Sequence, residues 1–133
     1  MPLHIVEEQV LGFTHGDSGQ QLLEHWGLPK ELADAAGCHH DISLLRQAGA
    51  LTCLVHLSDL LCRVRYLGYS YDETMGFDLG GDQAWQILVT SYPQLQEMDM
   101  VRFTLDIDGA MDQIVATVDA VFGGKTAGVP VGI

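Results

Sequence analysis

His15, His39, His40 and Asp59 are the residues of this 133-residue chain whose types and spacing could do chemistry. Imidazole nitrogens and carboxylate oxygens suit a divalent transition metal such as iron or manganese. Such an ion lowers the pKa of bound water and so makes a nucleophile near neutral pH. The same residues have a plainer use. A histidine on an apolar helical face is more often a hydrogen-bonded core residue than a ligand. Asp59 lies four residues before Arg63, and an exposed i, i+4 ion pair contributing a few tenths of a kcal/mol accounts for it as well.

Two consecutive helices must position the histidines. Gly19, Leu22, Leu23 and Trp26 recur at helical spacing, and His15 lies one turn earlier on the same face. Thr14 is the expected N-cap, because its hydroxyl can accept from an orphan N–H of the first turn. Gly27 can take the left-handed conformation that ends a helix, and Pro29 suits the start of the next. On the second helix Leu32, Ala35, Ala36 and His39 form the inward stripe, with His40 beside it. His15 and His39 therefore sit on facing stripes of neighbouring helices.

A long helix follows, over 43–67. Leu44, Ala48, Leu51, Val55, Ser58 and Cys62 make one apolar stripe, widened by its neighbours into an arc that predicts burial on most of the circumference. Thr52, His56, Asp59 and Arg63 form the narrow polar stripe. The helix should end near Gly68. A glycine-rich acidic loop with Asp72, Glu73 and Asp78 leads to Asp82, which can cap a further helix ending at Pro93. Val101, Phe103, Leu105 and Ile107 alternate with polar residues, the period of a strand, so a short extended segment is expected over 101–107. Asp108 is then the expected cap of a last helix, stopped by Gly123. Before Thr14, residues 2–12 read as a short amphipathic helix or a tail. The expectation is an all-α bundle of about five helices in a single domain: a core over 1–67, C-terminal helices over 68–122 and a loose tail over 123–133.

Bulk properties narrow the function. The net charge is −12, from 18 acidic and 6 basic residues. A surface this acidic repels both a phosphate backbone and anionic lipid, so neither nucleic acid nor membrane is an expected partner. Cys38, Cys53 and Cys62 fall inside helical patterns with no C-x-x-C spacing, and read as reduced core residues of a cytoplasmic protein. No signal peptide and no membrane-spanning run is visible. Gly16-Asp17-Ser18-Gly19 copies a serine-protease nucleophile motif, but Ser18 belongs to the first turn of a helix rather than to a strained loop in a β-barrel. The acidic loop lacks EF-hand spacing, and no glycine-rich nucleotide motif is present. Trp26 and Trp85 read as core packing.

The run of His15, Gly19, Leu22, Leu23, Trp26, Leu28, Pro29, Leu32, Ala36, His39 and His40, with the helix Leu51–Leu61 after it, resembles the HDOD family, the HD-related output domain branch of the HD superfamily. The resemblance covers about half the chain. It implies an all-helical, HD-superfamily-like fold. It also implies a non-catalytic output role in bacterial signal transduction, acting through protein partners, with no catalytic residue and no cofactor. In catalytic relatives the positions equivalent to His15, His39, His40 and Asp59 bind metal, so a metal-dependent phosphohydrolase acting on phosphoesters or cyclic dinucleotides is the alternative. The superfamily's upstream His-Asp pair has no counterpart before Glu7, and His40-Asp41 matches the later His pair instead. The chain is thus expected to be the C-terminal half of such a domain. Half a domain leaves apolar faces uncovered, which makes a homo-oligomer, or a dimerisation or partner-docking module, a further expectation.

Overall fold

The computed structural model describes residues 1–64 and 78–123. All described regular structure is helical: α1 Leu3–Leu11, α2 His15–His25, α3 Lys30–Cys38, α4 Ala50–Val64, α5 Gln83–Ser91 and α6 Met100–Phe122, with 3₁₀ turns at Ile42–Leu44 and Pro93–Glu97. The expected end of the long helix near Gly68, Asp72 and Glu73 of the acidic loop, and the tail beyond Gly123 lie outside the described residues. The chain forms two compact units, Met1–Pro93 and Gln94–Ile133. None of the described helices is long and apolar enough to cross a membrane.

Local signals set the α2–α3 unit. Thr14 accepts from the backbone N–H of Asp17, while the Asp17 carboxylate accepts from the N–H of Thr14 at 2.7 Å, closing a capping box. Gly27 takes φ +69°, which turns the chain toward Pro29 and α3. The two helices then touch at their backbones. A Cβ on Gly16 would stand 3.0 Å from the carbonyl oxygen of Gly37, and one on Gly19 would stand 3.5 Å from the Cβ of Ala36. This close approach places His15 beside the C-terminal end of α3, which carries His39 and His40.

The core of the first unit is small. It comprises Ala33, Ala35, Cys38, Ile42, Ala48, Cys53, Leu57, Ala84 and Leu88, with Thr52 the one buried polar residue among those described. Several expected core residues lie outside it. Trp26 is 63% exposed, and Leu22 and Leu32 are exposed too. Small residues let α2 and α3 approach so closely that bulky side chains splay outward, and Gly16 and Gly19 of α2 meet Ala36 and Gly37 of α3 instead.

The long helix also corrects its expected orientation. It begins at Ala50 rather than Ser43, after the 3₁₀ turn capped by Asp41. The polar stripe of Thr52, His56, Asp59 and Arg63 faces inward. Leu44, Leu51, Val55, Ser58 and Cys62 face outward, and Cys62 is exposed rather than a core thiol. Polar side chains win the inward position because partners await them there: His40 for Asp59 and Arg63, and the His39 carbonyl for His56.

In the second unit, residues 101–107 are helical, not extended. Asp99 caps α6 by accepting from the N–H groups of Val101 and Arg102, and Asp108 lies within the helix. Phe103 and Ile107 are also four residues apart, a helical spacing that continues through Met111 and Val115. The alternation fits both periods, and among the described residues no neighbouring strand stands to satisfy an extended backbone. Gly123 ends α6 at φ +62°.

Candidate functional site

Three helices deliver the histidine cluster. His4 and Glu7 come from α1, His15 from the start of α2, and His39 and His40 from the C-terminal end of α3. The structure brings His15, His39 and His40 together: one ring nitrogen from each lies within 4.8 Å of the others. The His39 and His40 ring centroids are 4.0 Å apart, and those of His15 and His40 are 4.8 Å apart. Asp59 stands apart from that convergence. Its carboxylate lies 3.3 Å from Nδ1 of His40, on the far side of the ring from His15.

A directional hydrogen-bond chain runs through the cluster. The Arg63 guanidinium can only donate, so Nδ1 of His40, 2.8 Å away, accepts. Nε2 of His40 then carries the hydrogen and donates to Nε2 of His15 at 2.8 Å. Nδ1 of His15 donates in turn to Oε2 of Glu7 at 2.6 Å, and the same oxygen accepts from the His15 backbone N–H at 2.9 Å. Arg63 also pairs with Asp59, so one guanidinium bridges carboxylate and imidazole. His39 is fixed separately: its Nδ1 donates to the carbonyl of Ala36 at 2.9 Å. His4 stacks on His40 with centroids 4.5 Å apart and planes within 16°.

The electrostatics follow from this crowding. Burial pushes the His4 and His39 imidazoles below their ordinary value, and the neighbouring His40 adds to the effect in both. Burial alone would raise Asp59, yet the His40 ring, when it carries a proton on Nδ1, and the Arg63 guanidinium outweigh it and hold the carboxyl down to about 2. Hydrogen bonding to the His15 backbone lowers Glu7, and the His15 side chain reinforces it.

The sequence named His15, His39, His40 and Asp59 as candidates; the structure groups the three histidines, leaves Asp59 beside them, and adds His4, Glu7 and Arg63, which the sequence did not single out for the site. His4 and Glu7 are one turn apart on α1, which marks a shared face and nothing about what that face meets. A second histidine station lies nearby. His56 donates from Nδ1 to the carbonyl of His39 at 2.5 Å and faces Asp82 with Nε2.

As metal donors, His15, His39 and His40 are a coherent set. The Nδ1 atoms of His15 and His39 are held by acceptors, the arrangement that orients ligating imidazoles. Asp59 does not fit as a further ligand, because Arg63 holds it. The Arg63 cation also opposes a second positive charge next to His40.

Residues 1–42 match the HDOD domain family. That segment holds α1, α2 and α3, and with them His4, Glu7, His15, His39 and His40. No curated protein matches the sequence. Among solved structures, an HDOD domain protein with unknown function from Geobacter sulfurreducens is similar, with 25% identity and a TM-score of 0.72 over 90% of this chain and 41% of that one. The chain thus spans less than half the length of that protein.

Proposed function

The chain carries an HDOD-family segment in an HDOD-type helical fold, and on that premise we propose that it is a non-catalytic regulatory output domain of bacterial signal transduction. It acts by contacts with protein partners of a cytoplasmic pathway rather than on nucleic acid or membrane. One observation carries the reading. The Arg63 guanidinium occupies the carboxylate of Asp59 and Nδ1 of His40, the groups a hydrolytic centre would use. With that cation in place the cluster satisfies its own hydrogen bonds and ties α1, α2, α3 and α4 into one scaffold. The apolar side chains left on the outside, Leu51, Leu54 and Val55 of α4 among them, supply surface for a partner.

Purified protein, incubated with Mn²⁺ or Fe²⁺ and dialysed, tests this. The expected result is sub-stoichiometric metal by elemental analysis and no hydrolysis of phosphodiesters or cyclic dinucleotides. Hydrolysis that His39→Ala abolishes overturns it.

A second reading, a metal-dependent phosphohydrolase, is favoured by the convergence of His15, His39 and His40. Those three would hold the ion, which when bound would supply an activated water. Glu7 and the Ala36 carbonyl would orient the rings of His15 and His39. The reading requires Arg63 to swing away from His40, so Arg63→Ala should raise metal affinity if it holds and leave it unchanged otherwise.

A further inference from the structure

Helix α6 has a composition that the described residues of its own unit do not explain. Eight of its 23 residues are β-branched and Gly109 interrupts it, so intrinsic propensity is poor. No residue of the helix is buried: Met100, Phe103, Ile107 and Ala110 in its first half are only half-buried, and Ile114, Thr117 and Val121 in its second half are exposed. A helix of this kind takes its stability from packing an apolar face against something.

The sequence of that face specifies what. Met100, Ile107, Ile114 and Val121 alternate with Phe103, Ala110 and Thr117 at intervals of three and four residues, a heptad seam that runs the length of the helix. The second set carries no leucine, and its residues differ widely in volume. In a parallel pair, Phe103 would meet Phe103 and Ala110 would meet Ala110, crowding one layer and leaving the other hollow. Asp106 would also lie against Met111 of the second copy. In an antiparallel pair, Phe103 meets Val121, Ile107 meets Thr117, and Ala110 meets Ile114, so each layer joins a larger side chain to a smaller one.

The flanks sort in the same way. Antiparallel pairing sets Gln113 beside Gln113 and Asp106 beside Ala120 on one edge, with Met111 beside Met111 on the other. No like charges face one another, although the chain is strongly acidic. Asp108, Asp112 and Asp119 fall at positions away from the seam. Three heptads on each copy supply on the order of 700 Å² per partner, close to the about 800 Å² of a standard-size interface.

We infer that α6 joins two copies of this chain as an antiparallel helix pair. The inference is independent of the histidine cluster, since its test reads mass and crosslinks rather than metal or hydrolysis. The full chain in sedimentation equilibrium at tens of micromolar should show twice the 14.5 kDa chain mass. Ile107→Asp with Ile114→Asp should return it to the single mass. In a Cys62→Ser background, Gln113→Cys should crosslink to itself under mild oxidation and Ala110→Cys should not. That arm needs no destabilised variant. A chain of single mass, with α6 covered by its own first unit, overturns the inference. So does a dimer that survives both aspartates, and so does crosslinking through Ala110→Cys in place of Gln113→Cys.

Discussion

Nε2 of His56 lies 3.2 Å from Oδ2 of Asp82, while Oδ1 of the same carboxylate accepts from the N–H groups of Ala84 and Trp85. One aspartate thus caps α5 and fastens it to α4. Removing it takes away a helix cap and leaves a half-buried imidazole without its acceptor. Asp82→Ala should destabilise the first unit by about 2 kcal/mol, roughly one from the cap and one from the side-chain contact. Asp82→Asn keeps a capping oxygen and should lose about half as much. Urea unfolding of the two variants measures the difference.

Asp59 gives a pH dependence with a defined sign. Its carboxyl is held down to about 2 in the folded chain, against an ordinary value near 4. The unfolded chain therefore takes up this proton first as the solution is acidified. The stabilisation is fully present above about pH 4 and is lost as pH falls from about 4 to about 2. The side chain is 30% exposed, so solvent screening trims the contribution to on the order of 1–2 kcal/mol. Thermal unfolding of wild type and Asp59→Asn should differ at pH 6 and converge near pH 2.

The depressed imidazoles of His4 and His39 act over a higher range. Both are pushed down first by burial, so below about pH 6.5 the unfolded chain binds protons that the folded chain refuses. Stability should decline as pH falls through that region. Replacing His4 by glutamine removes one of the two groups, and the slope of melting temperature against pH between 7 and 5 should become shallower.

The α2–α3 contact should discriminate between two glycines. A methyl on Gly16 meets backbone, the carbonyls of Gly37 and Ala36, at 3.0 and 3.3 Å. Backbone on a packed helix cannot step aside, so Gly16→Ala should cost about 1–3 kcal/mol despite the better helix propensity of alanine. A methyl on Gly37 meets the Gln20 side chain, whose amide end can swing outward, leaving Cβ of Gln20 at 3.0 Å as one fixed contact where Gly16 has two to backbone oxygens. Gly37→Ala should lose less, and chemical denaturation of the pair ranks them.

What the sequence disclosed was local. The Thr14 cap and the Gly27 turn depend on residues within a turn of each other, and the His15–His39 juxtaposition follows because that short turn folds α3 directly back on α2. What it concealed depended on partners distant in the chain. The apolar arc of α4 is so broad that periodicity could not choose its inward side. Arg63 and Asp59 chose it by finding His40, more than a helix away in sequence. Residues 101–107 fit two periods, and among the described residues no strand is there to pair with an extended segment. Glu7 carried no signal at all until α1 was laid against α2.

Helix α1 buries none of its own residues. Its described fastenings are the Glu7–His15 pair and the stacking of His4 on His40. An element anchored by ring faces and a carboxylate, rather than by oily contact, opens at a smaller free energy than the bundle beneath it. Amide protons of α1 should therefore exchange ahead of those in α3 and α4. Each such excursion uncovers His15 and His40 to water while the α2–α3 joint stays closed, so the cluster breathes on the schedule of the N-terminal helix and not of the fold.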